Sequence, residues 1–194
     1  MEFLNRLTKC FIISVALTSV LKDTPTDASS YSIKVKKYVC IDTPYEETKL
    51  LSCKSIPRRN APTMVLLTLY VPKLYDHILV KVMLFFKFST YQPFLITISR
   101  EACEVIRHPP QFGIERHVYD IIEETLPEII TPCPIGNRTF NVTWYLHDRH
   151  APKNIPAGEF KLQFQALAQP NVTLFALDVY FVVRNGGIIS FTKP

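Results

Sequence analysis

Between His77 and Cys103 the chain reads HILVKVMLFFKFSTYQPFLITISREAC, and its first half alternates with a period of two. Ile78, Val80, Val82, Leu84, Phe86 and Phe88 fall on one face. The opposite face mixes Leu79, Met83 and Phe85 with Lys81, Lys87 and Ser89. That pattern describes a strand with one face in a core and the other partly wet. Ser89 to Pro93 supplies turn chemistry, and Phe94, Ile96 and Ile98 then resume the alternation against Leu95, Thr97 and Ser99. The reading is two antiparallel strands, joined by a short loop and ending at a cysteine.

The rest of the chain supplies partners for this hairpin. Residues 31–40 alternate around Ile33 and Val35, residues 48–56 form a second short strand, and Pro57 to Pro62 break it. Residues 63–71 are an almost wholly apolar third strand, closed by turn chemistry at Pro72, Tyr75 and Asp76. After Cys103 the period changes. Phe112, Val118, Ile121, Ile122 and Leu126 recur near helical spacing, with Glu115, Arg116, Asp120, Glu123 and Glu124 on the other side. Pro109 and Pro110 mark the start of this amphipathic helix and Pro127 its end. Strands return at residues 139–146, where Phe140, Val142, Trp144 and Leu146 share a face and Asn141 points away. Phe160, Leu162, Phe164 and Ala166 then alternate with Lys161, Gln163 and Gln165. The last strand puts Phe175, Leu177, Val179, Phe181 and Val183 on one face, and Asn185-Gly186-Gly187 ends it. About eight short strands separated by Pro, Asn and Gly, with one helix, predict a mainly β chain: an antiparallel β-sandwich with an amphipathic helix packed near the sheet. At 194 residues, 47% hydrophobic and 20% charged, the chain is long and apolar enough for one such domain with a real core.

The amino terminus points to export. Arg6 and Lys9 precede an apolar run from Cys10 that continues to Leu21, followed by Lys22, Asp23 and Thr24. A basic start, a short apolar run and then polar residues describe a secretory signal peptide, assigned to residues 1–21 with cleavage between 18 and 29. The run is shorter than the ~20 residues that span a bilayer. Residues 22–30 read as a linker, 31–184 as the folded domain and 185–194 as a short tail. Outside the signal four cysteines remain, Cys40, Cys53, Cys103 and Cys133. An even count in an exported chain implies two disulfides, with three possible pairings. No C-x-x-C spacing supports a metal site. Sequons at Asn137, Asn141 and Asn171 mark three glycosylation candidates in a secreted, extracellular protein.

Against this background the residues resemble a known family. Tyr91, Pro93, Phe94, Leu95 and then Cys103 form the most specific part, Y-x-P-F-L followed at a fixed distance by cysteine. Cys133-Pro134, the Pro156-x-Gly158-x-Phe160 turn and the closing apolar strand follow in order. Over residues 31–184 the chain is similar to the insect secreted family called domain of unknown function 1091. That family includes fly chemosensory B proteins, which are similar to the ganglioside activator protein. The resemblance implies the lipid-recognition, immunoglobulin-like sandwich and the binding of a lipid or pheromone. Ile135 departs from the family, which usually carries an aromatic after Cys-Pro. Spacing and family likeness together favour Cys40–Cys53 and Cys103–Cys133, each closing a local loop. The first would staple the two opening strands as a hairpin, and the second would tether the helix across the sheet.

No catalytic signature accompanies this pattern. The sequence has no G-x-S-x-G, no H-E-x-x-H and no glycine-rich phosphate loop, with only 5 glycines in all. The one dense polar cluster, His147-Asp148-Arg149-His150, reads as a solvated turn. Glu123 and Glu124 are adjacent on the helix and point apart. The net charge of +5 is scattered, without the dense basic stripe of a nucleic-acid binder. The chain is therefore read as a binding protein and not an enzyme, with no cofactor, metal or nucleic-acid partner implied. Its expected partner is a hydrophobic small molecule or lipid; the resemblance implies a chemosensory role in pheromone or gustatory perception, with a membrane receptor or channel as a further partner. The alternatives are a secreted interaction domain with a filled core acting on a receptor or channel, and a hydrolase, which would need a polar, convergent pocket that the sequence does not show. Phe86, Phe88, Phe94, Ile96, Ile121, Trp144, Phe164 and Phe175 are the candidate pocket wall.

Overall fold

The computed structural model describes residues 30–150, 155–169 and 172–186. The assigned signal peptide, all but the last residue of the linker, Asn171 of the third sequon and residues 187–194 of the tail lie outside them. Backbone contacts divide the chain into two units, and all that follows concerns the one spanning Tyr31–Pro194, with Ser30 opening its first strand. Eight strands are seen among the described residues: β1 Ser30–Cys40, β2 Lys49–Arg58, β3 Ala61–Tyr75, β4 Leu79–Lys87, β5 Tyr91–Glu101, β6 Ile135–Trp144, β7 Gly158–Gln169 and β8 Val172–Gly186. Two helices, α1 Ala102–Arg107 and α2 Gly113–Thr125, lie between β5 and β6. The strands form a five-stranded sheet in the order β1-β8-β7-β4-β5 and a three-stranded sheet in the order β2-β3-β6. The registers of β2–β3, β3–β6, β4–β5, β4–β7 and β7–β8 are all antiparallel. The molecule is the antiparallel β-sandwich that the sequence predicts.

The central hairpin behaves as its alternation requires, with one irregularity. Val82 pairs with Ile98 and Val80 with Arg100, while Phe85 pairs with Pro93. Met83 pairs with Thr97, so β5 carries Phe94, Leu95 and Ile96 opposite Leu84 alone. Leu95, at the middle of this bulge, has φ 56°. Bulges bend a strand and increase its twist, and here the Y-x-P-F-L residues form one. The strand resumes at Tyr91, three residues earlier than the turn chemistry indicated, because the loop closes tightly with Phe88 N–H donating to Thr90 O at 3.1 Å.

Several sequence expectations change in the fold. β1 and β2 do not pair as a hairpin: β1 lies beside β8 in the large sheet and β2 beside β3 in the small one. The Cys40–Cys53 disulfide therefore joins the two sheets at one edge of the sandwich, with Cα atoms 6.4 Å apart. Pro57 does not end β2, which runs to Arg58 and turns through Arg59 and Asn60. Asn60 takes φ 59°, a conformation asparagine tolerates in tight turns. β3 continues through Pro72 to Tyr75, with an irregularity between Val71 and Leu74. There Gly136 is needed: a Cβ on it would lie 1.9 Å from the Lys73 carbonyl oxygen.

The segment between β5 and β6 holds one helix more than expected. In α1 the cap is Glu101, whose carboxylate accepts from Cys103 N at 3.0 Å, Glu104 N at 2.6 Å and Ile78 N at 3.1 Å. Burial acts to raise that carboxyl, but the three backbone N–H groups outweigh it and hold it below its ordinary range. Helix α2 follows Pro109 and Pro110 and stops before Pro127, as those prolines dictate. Phe112, placed on the apolar face by helical phase, is instead 86% exposed. It is the extended residue before the first turn, with φ −156° and ψ 171°, so the helical period does not apply to it. The Cys103–Cys133 disulfide ties α1 to the chain entering β6 and so brackets α2.

Candidate functional site

The two inner faces do not fill all the space between them. A cavity of about 420 Å³ lies inside the sandwich. Its wall on the large sheet is Val80, Val82 and Leu84 of β4, Ile96 and Ile98 of β5, Leu162, Phe164 and Ala166 of β7, and the inward residues of β8 from Leu174 to Phe181. On the small sheet the wall is Val65, Leu67, Leu69 and Val71 of β3 with Phe140, Val142 and Trp144 of β6. Helix α2 contributes Ile114, Val118, Ile121 and Ile122, and α1 contributes Val105 and Ile106. The volume and the apolar lining are those of a small-molecule site.

The cavity follows from strand number and helix placement. Five strands offer a broad apolar face and three strands cover only part of it. The amphipathic face of α2 lines the remainder. One end of that helix is fixed by hydrogen bonds: Trp144 Nε1 donates to Thr125 Oγ1 at 2.9 Å, and Thr125 Oγ1 donates to the Ile121 carbonyl at 2.6 Å. Near the other end, Arg100 on β5 holds Glu115 with a two-pronged ion pair, Nη2 to Oε1 at 2.9 Å and Nε to Oε2 at 3.2 Å.

The structure brings Ile96, Ile121, Trp144, Phe164 and Phe175 together on the cavity wall. It places Phe86, Phe88 and Phe94 outside the lining. Phe86 packs on Phe94 at 5.4 Å, Phe160 at 5.0 Å and Phe88 at 4.8 Å between ring centroids. These rings close the hairpin end of the sandwich, where Phe86 pairs with Phe160 at the start of β7. Phe88 lies past the end of β4 and is 63% exposed, so its even position no longer carries it into the interior. Ile135, where the family usually has an aromatic, is on the cavity wall.

Sequence reasoning missed the few polar residues of the lining. Arg100 continues the inward phase of Ile96 and Ile98, and this break in an apolar series was the available signal. Glu115, assigned to the outer side of the helix, also reaches the wall, because it lies in the first turn beside Arg100. The 147–150 cluster is a solvated turn only in part, since Asp148 and Arg149 are exposed and His150 is buried. It ends in a short 3₁₀ turn, Asp148–His150, with His150 only 5% exposed and on the cavity wall. Asp148 Oδ1 accepts from Ile33 N at 2.9 Å, Arg149 pairs with Glu124, and His150 Nδ1 accepts from His147 N at 3.2 Å. Burial lowers the His150 pKa, against the opposing pull of Glu124, whose Oε2 lies 3.4 Å from Nε2. Asp148 and Arg149 thus clasp β1 and α2, and the histidine plugs the wall. Among the described residues no group of three or more His, Cys, Asp or Glu is placed to hold a metal ion. No helix among them is long and apolar enough to cross a membrane.

The sandwich and its lining define a β-sandwich protein built around an internal apolar cavity. Residues 80–162 match the family described as protein of unknown function (DUF1091). That stretch runs from β4 into β7, and Tyr91, Pro93, Phe94, Leu95, Cys103, Cys133, Gly158 and Phe160 all fall inside it. The likeness to this family is thus established over the middle of the chain. No curated protein matches the sequence. Among solved structures the chain is similar to a Niemann-Pick type C2 protein from Japanese carpenter ant, with a TM-score of 0.35 and 14% identity, over 73% of this chain and 96% of that one. It is also similar to chicken MD-1 complexed with lipid IVa, with a TM-score of 0.37 and 13% identity, over 81% and 92%.

Proposed function

We propose that this chain is a secreted, disulfide-bonded and glycosylated binding protein for an apolar small molecule or lipid. The cavity of about 420 Å³ inside the sandwich carries the reading. A filled interaction domain has no need of such a space. The energetics are adequate: about 0.8 kcal/mol per buried CH₂ gives roughly 8 kcal/mol gross for a ten-carbon chain. Association costs remove several kcal/mol of this, leaving affinity near micromolar. Two disulfides support an oxidising compartment. Asn137 and Asn141 are both exposed and available to a glycan. The family resemblance supports a chemosensory role, with delivery to a membrane receptor or channel.

The test is native mass spectrometry of the secreted, deglycosylated protein. Retention of a few hundred daltons (on the order expected for a ligand filling such a pocket), released by organic solvent, is the expected result. A clean unliganded mass that takes up nothing from fatty acids, hydrocarbons or sterols would overturn the reading.

A further inference from the structure

We propose that the cavity takes a long-chain fatty acid with its tail inside and its carboxylate on Arg100, an inference that rests on the binding-protein reading above. Arg100 sits at the opening. It lines the cavity, yet 58% of its side chain is exposed. Ile114 across from it on α2 likewise lines the cavity and is 39% exposed. Residues that face both the interior and solvent mark the mouth of a pocket. The register fixes the direction of Arg100, because it pairs with Val80, which pairs with Ala166, and both of these are wall residues.

The guanidinium has capacity left. Its Nε and Nη2 are engaged by Glu115, and among the described residues Nη1 has no hydrogen-bond partner. The Nη1–Nη2 edge can therefore receive a second carboxylate in the planar geometry that suits arginine. A phosphate monoester would place about two negative charges beside Glu115, and like charges at that range repel. A singly charged carboxylate fits the mouth better. The lining histidines do not compete for the headgroup, since His117 Nε2 and His150 Nε2 are closed off within the protein. Entry of the acid would loosen Glu115 from Arg100, and with it the tie between β5 and the first turn of α2.

The test compares palmitate with hexadecanol, which has the same chain and no charge, by titration calorimetry on the full secreted protein. Palmitate should bind about tenfold more tightly than the alcohol. Arg100→Gln should bring the ratio of the two constants to about one, and Arg100→Lys should leave an intermediate ratio, because it keeps the charge and loses the fork. Glu115→Gln should raise the ratio by freeing the guanidinium. A wild-type protein that binds both equally, or a ratio unmoved by Arg100→Gln, overturns the assignment of the headgroup while leaving a carrier of neutral ligands. Failure of both compounds, along with a neutral hydrocarbon panel, removes the binding-protein reading itself and this inference with it.

Discussion

Gly158 opens β7 against the Cε2–Cζ edge of Phe86, and substitution there tests the packing of the hairpin end. A Cβ at Gly158 would lie 2.6 Å from Phe86 Cε2 and 2.8 Å from Cζ, with φ at +156°. Phe86 has little room to withdraw, because Phe94 and Phe160 flank it at 5.4 Å and 5.0 Å. Overpacking of this kind costs about 1–3 kcal/mol, and the unfavourable backbone angle adds about 1 kcal/mol. Gly158→Ala should thus lose about 2–4 kcal/mol, lowering the urea midpoint by about 1 M or more at an unchanged slope. The partner substitution separates clash from backbone strain. Phe86→Leu lacks the Cε2 and Cζ atoms and alone should cost about 1–2 kcal/mol. Combined with Gly158→Ala it should recover at least about 1 kcal/mol relative to the sum of the single changes. A Gly158→Ala loss below about 0.5 kcal/mol, or costs that add within that margin, would refute the argument that this glycine is required by the aromatic ring.

Three further outcomes follow from the geometry. Replacing both Cys103 and Cys133 by alanine opens a loop of separation 30, worth about 3.6 kcal/mol in the chain-entropy picture, and replacing Cys40 and Cys53 opens one of 13, worth about 3 kcal/mol. Urea unfolding should rank them in that order. Trp144→Phe keeps the ring and removes the donor to Thr125, so it should cost about 1 kcal/mol and increase amide exchange at the end of α2. His150 is held below its ordinary value of 6.5 by burial, with Glu124 opposing. The folded chain therefore takes up that proton less readily than the unfolded one, and the stability it contributes is full above pH 6.5 and declines as pH falls toward the lower folded value. His150→Gln should flatten the pH dependence of the unfolding free energy in that window, and an unchanged slope would show that His150 titrates alike in both states.

The alternation in the sequence reports which way a side chain points, and within the strands, Phe88 beyond the end of β4 excepted, those assignments survive in the structure. Val82, Leu84, Phe160, Val179 and Val183 are all buried on the faces that a period of two predicts. Alternation does not say which strand lies next to which. β1 is followed by β2 in sequence, yet it hydrogen-bonds with β8 at the far end of the chain, so a disulfide expected to staple a hairpin instead joins two sheets. Helix α1 was illegible for a different reason. It has six residues and is capped by a glutamate, a residue outside the usual Ser, Thr, Asp and Asn set. The bulge at Phe94, Leu95 and Ile96 preserves parity, since it adds two residues opposite the single Leu84, and so leaves no trace in the pattern.

Apolar residues facing a cavity and apolar residues facing each other have the same sequence signature, which is why Phe86 and Phe94 were grouped with Ile96 and Phe164. What separates the two sets is geometry. β7 begins at Gly158 beside Phe86, and there the aromatic rings meet and exclude space; farther along, α2 replaces strand as the covering element and the faces stand apart. A closed core has no use for a charged residue in phase with Ile96 and Ile98. Arg100 in that phase is tolerated because the interior opens to water beside it, so the break that follows Ile96 and Ile98 in β5 locates the mouth of the cavity. If the mouth were elsewhere, Arg100→Leu would complete the apolar face and stabilise the fold without altering ligand exchange. With the mouth at Arg100, the same change should slow entry and release of an uncharged ligand, measured by stopped-flow displacement of a neutral fluorescent lipid.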